Sequence, residues 1–244
     1  MRVRFRFTKH GKVRWTSHRD VARMWERAFR RASVLVALSE GFSPRPKVSF
    51  GLALSTGHES LGEYLDVELA PGTTLDLDEL PERLTPALPV GLDVQAAVAL
   101  DGRVTSLQQE VTSCSWRIDV PDVDPTQAEA AVAAALAAPS LVTTRTRKGT
   151  DVVDDVRPAI LHLAVAGPSA VAPGSTLDAD LATQPRSLRP AELISSVLPS
   201  LDALQVVEAR VLRTHQWIDH DGVRTEPIPL ALAPPTSHLL GACG

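Results

Sequence analysis

An α+β fold of two tandem lobes is predicted, each an antiparallel sheet with helices on one face. Three observations predict it. Charged and apolar residues alternate at Arg2–Phe7 and again at Gly62–Leu69, the period of a strand; apolar residues recur at helical spacing between them; and the resulting β-α-β-β-α-β order repeats after residue 104. With 244 residues, the chain can form two cores of roughly 100 residues each.

The first strand, Arg2 to Phe7, places Val3, Phe5 and Phe7 on one buried face. After a turn at Lys9-His10-Gly11-Lys12, Ser17 stands three residues before Asp20, the spacing of a capping box, so a helix is predicted from His18 to Arg31. Val21, Met24, Trp25, Ala28, Phe29 and Ala32 form its packing face, and Arg19, Arg23, Arg27 and Arg30 run along the opposite side. Val34–Leu38, Lys47–Leu54 and Gly62–Leu69 read as strands, Leu75–Leu84 as a second helix and Leu92–Leu100 as a closing strand. In the second lobe, Glu110–Val120 reads as a strand, Thr126–Ala138 as a helix, and Leu141–Arg147 and Val152–Ala166 as strands around a Lys148-Gly149 turn. Thr176–Leu181 then reads as a strand, Pro190–Leu198 as a helix and Leu204–Arg213 as the last strand. The order in each lobe is that of a split βαβ, ferredoxin-like unit. The expected division is a basic lobe at 1–104, a second lobe at 105–217 and a flexible Pro- and Gly-rich tail at 218–244.

The net charge of −4 conceals a segregation. Residues 1–50 hold 13 Lys and Arg against 3 Asp and Glu, leaving 12 against 26 in the remainder. A field of one sign steers the opposite sign towards it, so an anionic partner is expected. No window approaches the roughly 18 uninterrupted apolar residues of a membrane span, and Met1–Arg6 lacks the apolar run of a secretory signal, so a cytoplasmic protein without membrane contact is expected. The two cysteines, Cys114 and Cys243, belong to no metal-binding pattern, and the histidines show no ligand spacing. No cofactor and no metal are expected in this chain. It carries no phosphate-binding loop, dinucleotide fingerprint or nucleophile elbow, so no catalytic motif is recognisable.

The densest group of candidate residues is Ser39–Lys47. Two prolines stiffen it, and Phe42, Arg45 and Lys47 supply an aromatic face and two cations suited to stacking on a base and holding phosphates. Arg14, Arg23, Arg27, Arg30 and Arg31 extend that surface. His18, beside Arg14 at the start of the helix, could contact a phosphate or act as a general base. Arg145, Arg147, Lys148 and Arg157 form a second basic group, which surface ion pairs with nearby aspartates would equally explain. Glu63, Asp66 and Glu68 could form an acid/base pair, but the expected reading is a solvated strand face.

The runs Lys12–Asp20, Glu26–Ala32, Ser39–Phe50 and Ser60–Leu69 closely resemble the bacterial radical-SAM-associated domain of unknown function. Beyond Leu69 the resemblance continues in Arg147-Lys148-Gly149 and Asp154-Asp155-Val156-Arg157-Pro158. Family members commonly have Leu at the positions of Thr16 and Arg19 and Asn at that of Ser43, departures that remove no aromatic or charged candidate. The domain occurs alone or fused behind a radical SAM enzyme, often encoded near ribonuclease E/G and ribosomal-protein genes. The resemblance therefore implies a radical SAM partner and a setting in RNA or ribosome metabolism, without assigning a reaction. Three functions are consistent with this: an accessory module binding RNA or a ribonucleoprotein, a protein–protein adaptor for the radical SAM enzyme, or an RNA-processing or RNA-modifying enzyme using His18.

Overall fold

The computed structural model describes residues 1–102, 105–147 and 149–228. It is a mixed α/β protein built on a mostly antiparallel sheet. In the first half, β1 (Arg2–Lys9) lies between β3 (Glu59–Glu68) and β4 (Val94–Leu100), and the short β2 (Val48–Phe50) pairs with the far side of β3. Helix α1 (His18–Arg31) covers one face of this sheet. Its start follows the predicted cap: Ser17 Oγ accepts from the Asp20 N–H at 3.2 Å and donates to the Asp20 carboxylate at 2.7 Å. Val21, Trp25, Ala28 and Phe29 are buried as their spacing requires. Trp25 meets Phe5, Phe7 and Phe29 with ring centroids 5.0–5.8 Å apart, and α2 (Leu80–Leu84) closes the same core.

The other face of β1 corrects the expectation of one buried side and one solvated side. Arg4 and Arg6 are also buried, as are Tyr64 and Asp66 opposite them on β3. This second face is covered by α3 (Leu107–Glu110) and by residues 226–228; Leu107 and Ile228 pack against Tyr64. The solvated reading of the β3 carboxylates therefore fails at Asp66 and Glu63, both buried, and holds for Glu68.

In the second half, β5 (Ser113–Pro121) lies between β9 (Gly174–Ala182) and β10 (Arg210–His220), and β8 (Ile160–Pro168) forms the outer edge. Helices α4 (Pro125–Ala137) and α5 (Pro190–Val197) pack on one face around Ile118, Leu177 and Leu193. A separate hairpin, β6 (Val142–Arg147) and β7 (Thr150–Asp155), sits outside the main sheet. The two halves share one sheet, because β10 pairs in parallel with β3 at Leu212–Glu59 and Arg213–Ser60.

Several predicted elements differ. Val34–Leu38 makes only isolated bridges, at Val36 with Leu69 and Leu38 with Pro46. The predicted Val152–Ala166 strand is broken by a 3-10 turn at Arg157–Ala159, where Pro158 has no N–H to continue a ladder. The first part of the predicted Leu204–Arg213 strand is instead helix α6 (Ala203–Glu208). Asp202 caps it through the Leu204 and Gln205 N–H groups, and the Gln205 side chain returns a bond to the Asp202 N–H. Residues 218–228, expected as part of a flexible tail, are instead largely structured, and the rest of that expected tail, 229–244, lies outside the described residues. β10 runs to His220, turns at Asp221-Gly222, both at positive φ, and pairs with β11 (Val223–Thr225).

Candidate functional site

The basic N-terminal segment divides into inward-facing and outward-facing cations. Asp66 receives Arg4 at 2.8 Å and Arg2 at 2.9 Å, and Arg4 also reaches Glu110. Arg6 pairs with Glu226 at 2.8 Å, Arg14 with Glu59 at 3.6 Å and Lys47 with Glu68 at 2.9 Å. Lys9 is buried with its ammonium on the carbonyls of Arg14 and Thr16, and burial pushes its pKa down. Burial alone would raise the Glu59 carboxyl, but hydrogen bonds from Arg210 and the Gly11 N–H, together with the Arg14 charge, hold it below its usual range. Much of the positive charge counted in residues 1–50 is thus matched by carboxylates from later in the chain.

What faces solvent is the polar side of α1. Arg19, Arg23, Arg27, Arg30 and Arg31 are all exposed. Arg23 makes an exposed 3.4 Å contact with Asp20, and Arg31 reaches the Ala87 carbonyl at 3.4 Å. Arg19, Arg27 and Arg30 have no ion pair among the described residues. Asp20 and Glu26 are the two acids of this helix. The apolar side of the helix is locked into the aromatic core, so the guanidinium groups project from a rigid element.

The 39–47 loop forms a projecting turn closed by Ser39 N–H to the Arg45 carbonyl, at 2.8 Å, and by Lys47 N–H to that of Ala37. Phe42 is fully exposed at its tip, and Arg45 is exposed without an ion pair among the described residues. Lys47 is tied to Glu68 in an exposed pair, which yields to a competing anion at little cost.

His18 sits at the first position of α1 with its ring centroid 5.0 Å from that of Phe50, beside a cavity of about 20 Å³ that Lys9, Glu63 and Tyr64 also line. That space suits one water molecule. Arg157 is structural: it donates to the Leu136 carbonyl at 2.9 Å and joins the end of α4 to β8. The backbone of Arg145 and Arg147 lies in β6, their side chains are outside the described residues, and Lys148 lies outside them altogether.

One feature went unrecognised in the sequence: a cavity of about 270 Å³ at the junction of the halves. The loop between β2 and β3 brings His58 to it. Gly57 fixes that loop, donating to the Arg14 carbonyl at 2.8 Å with φ of +89°, and a Cβ there would lie 2.9 Å from the Trp15 ring. Strands β5 and β10 contribute Cys114, Trp116 and Arg213, and the start of α5 contributes Arg189. Arg213 is buried and grips Glu63 through two nitrogens at 2.6–3.0 Å, with its guanidinium carbon 5.3 Å from the Trp116 ring centroid. Burial, with the Arg213 and Lys9 charges, pushes His58 down to about 4, so its imidazole is neutral at neutral pH. Burial pushes the Cys114 thiol up to about 11, which excludes a thiolate there. Only separations of many residues bring these side chains together, so no local motif could have marked the cavity.

Among the described residues no His, Cys, Asp and Glu group is placed to hold a metal ion, and no helix is long and apolar enough to cross a membrane. A family model described as an uncharacterized protein conserved in bacteria (DUF2344) matches residues 2–190. No curated protein matches the chain.

Proposed function

As the chain belongs to this uncharacterized bacterial family, whose match spans both halves, we propose that it is an RNA-binding accessory module and that α1 is its principal contact surface. The observation that carries the reading is the division of arginines: those of β1 are paired with the carboxylates of Asp66, Glu110 and Glu226, whereas those of α1 are exposed on a rigid helix with Asp20 and Glu26 as its only acids. Such a ridge recognises phosphates by charge and spacing, and Phe42 and Arg45 on the projecting loop suit stacking on an unpaired base and holding its phosphate. On this reading the two halves are tandem ferredoxin-like lobes. The strand orders β4-β1-β3-β2 and β10-β5-β9-β8 support that assignment, with the β6–β7 hairpin as an insertion in the second. The resemblance noted above adds a radical SAM enzyme in the cytoplasm as the partner to which RNA is presented.

The test is retention of total cellular RNA on the purified chain at low salt, compared with an Arg23→Glu, Arg27→Glu, Arg30→Glu variant. Retention by the parent and its loss in the triple variant are expected. Equal retention by both would overturn the assignment of α1, and no retention by either would turn the same ridge into a docking surface for an acidic protein.

A further inference from the structure

We propose that the cavity between the halves is a binding site for a small anionic heterocycle of the nucleoside monophosphate class. The first argument is hydrogen bonding. Trp116 is 7% exposed, its indole nitrogen is fully buried, and that N–H has no acceptor among the described residues. His58 Nδ1 is likewise buried and unpartnered, and both side chains line the same space. An unpaired buried polar group is costly, so two of them on side chains that line one cavity mark a place where a guest with polar atoms fits better than an empty or apolar space. A purely aliphatic guest would leave both unpaired.

The second argument is the lining. Leu54, Leu181 and Leu188 are buried walls, which favour a flat apolar body, while the unpaired groups demand polar atoms on its edge. Together these describe a heteroaromatic ring. The third argument is charge. Among the described residues no carboxylate lines the cavity; the rim instead carries the exposed Arg189 with the hydroxyls of Ser55 and Ser187, and Arg189 directly precedes the first residue of α5. A phosphate at the rim would meet this cation. The Arg213 charge on the floor is already neutralised by Glu63, so anionic character is called for at the mouth and not at the base. His58 being neutral suits this arrangement, because a neutral imidazole can accept from or donate to a ring edge.

This site is separate from the α1 ridge and does not depend on it. Calorimetric titration of the full chain with adenosine, guanosine, cytidine and uridine 5′-monophosphates is the direct test. At least one should bind saturably at one site, about tenfold more weakly to Trp116→Phe, which keeps the ring and removes the N–H, and more weakly to Arg189→Gln. Ser55→Trp, at the exposed mouth, should block entry without touching the core. The ridge triple variant should bind the mononucleotide as the parent does, so failure of the RNA reading and failure of this one are distinguishable. Absence of binding by all four at millimolar concentration, affinity unchanged by both Trp116→Phe and Ser55→Trp, or equal binding of inorganic phosphate alone would each overturn the proposal.

Discussion

Arg4 and Arg27 belong to the same basic segment and do opposite things. Arg4 is 3% exposed, held by Asp66 and Glu110, while Arg27 projects into solvent. Composition cannot separate them, because the acids that neutralise β1 lie 60 to 220 residues away, at Asp66, Glu110 and Glu226. The alternation at Arg2–Phe7 was legible as a strand, but the burial of its charged face depends on α3, which carries no strong local signal, and on residues 226–228, whose composition suggests a tail. Replacing Asp66 by Ala removes a buried carboxylate shared by two arginines, one of them buried, and should cost about 3–5 kcal/mol, read from urea unfolding. His58 makes a second prediction. Its folded pKa, about 4, lies below the ordinary value of about 6.5, so between these limits the unfolded chain binds the proton better. Stability should fall as pH drops through that window, and His58→Gln should lose less stability than the parent between pH of about 7 and about 4.5. Equal losses would show that His58 is not held neutral by its surroundings.

Among the elements, α1 was the most legible because each of its signals is local: a Ser17–Asp20 cap, apolar spacing and a continuous arginine side. Ser17→Ala should cost about 1 kcal/mol of stability by removing the side-chain cap at the helix start, with RNA binding little changed, as measured by thermal unfolding and RNA retention in parallel. The less legible elements fail for identifiable reasons. The apolar run at 204–207 suits a strand as well as a helix, and the Asp202–Gln205 capping box decides it. Pro158 divides the Val152–Ala166 stretch, and the Asp221-Gly222 turn, a hairpin signal, lies in a stretch whose composition suggested a tail. At 39–47 the turn was foreseeable from the prolines and glycine, but the exposure of Phe42 was not, since an aromatic there could equally cap the core, and the pairing of Lys47 with Glu68 follows from the bridge geometry that sets this segment beside the end of β3.

Across the protein as a whole, the short β3–β10 pairing makes one sheet of two halves, and polar contacts stitch it: Arg210 with Glu59, Arg213 with Glu63, and Gln216 with the Gly62 carbonyl at 2.7 Å. The same junction encloses the cavity. No sequence signal reported either, since both arise from residues distant along the chain meeting where the halves join. The mixed α/β character and the mostly antiparallel sheet were legible, but the joining of the two halves into one sheet was not. The α1 ridge stands outside this junction, and its role is decided by its response to salt. Affinity for a short single-stranded RNA should be measured across a series of potassium chloride concentrations, for the parent and for Arg27→Ala. If three to four guanidinium groups neutralise phosphates, the logarithm of affinity should fall with the logarithm of salt at a slope of about −2 to −3, and Arg27→Ala should lower that slope by about 0.7. Binding that is insensitive to salt, or a slope unchanged by the substitution, would contradict the assignment of α1 as an RNA-binding surface.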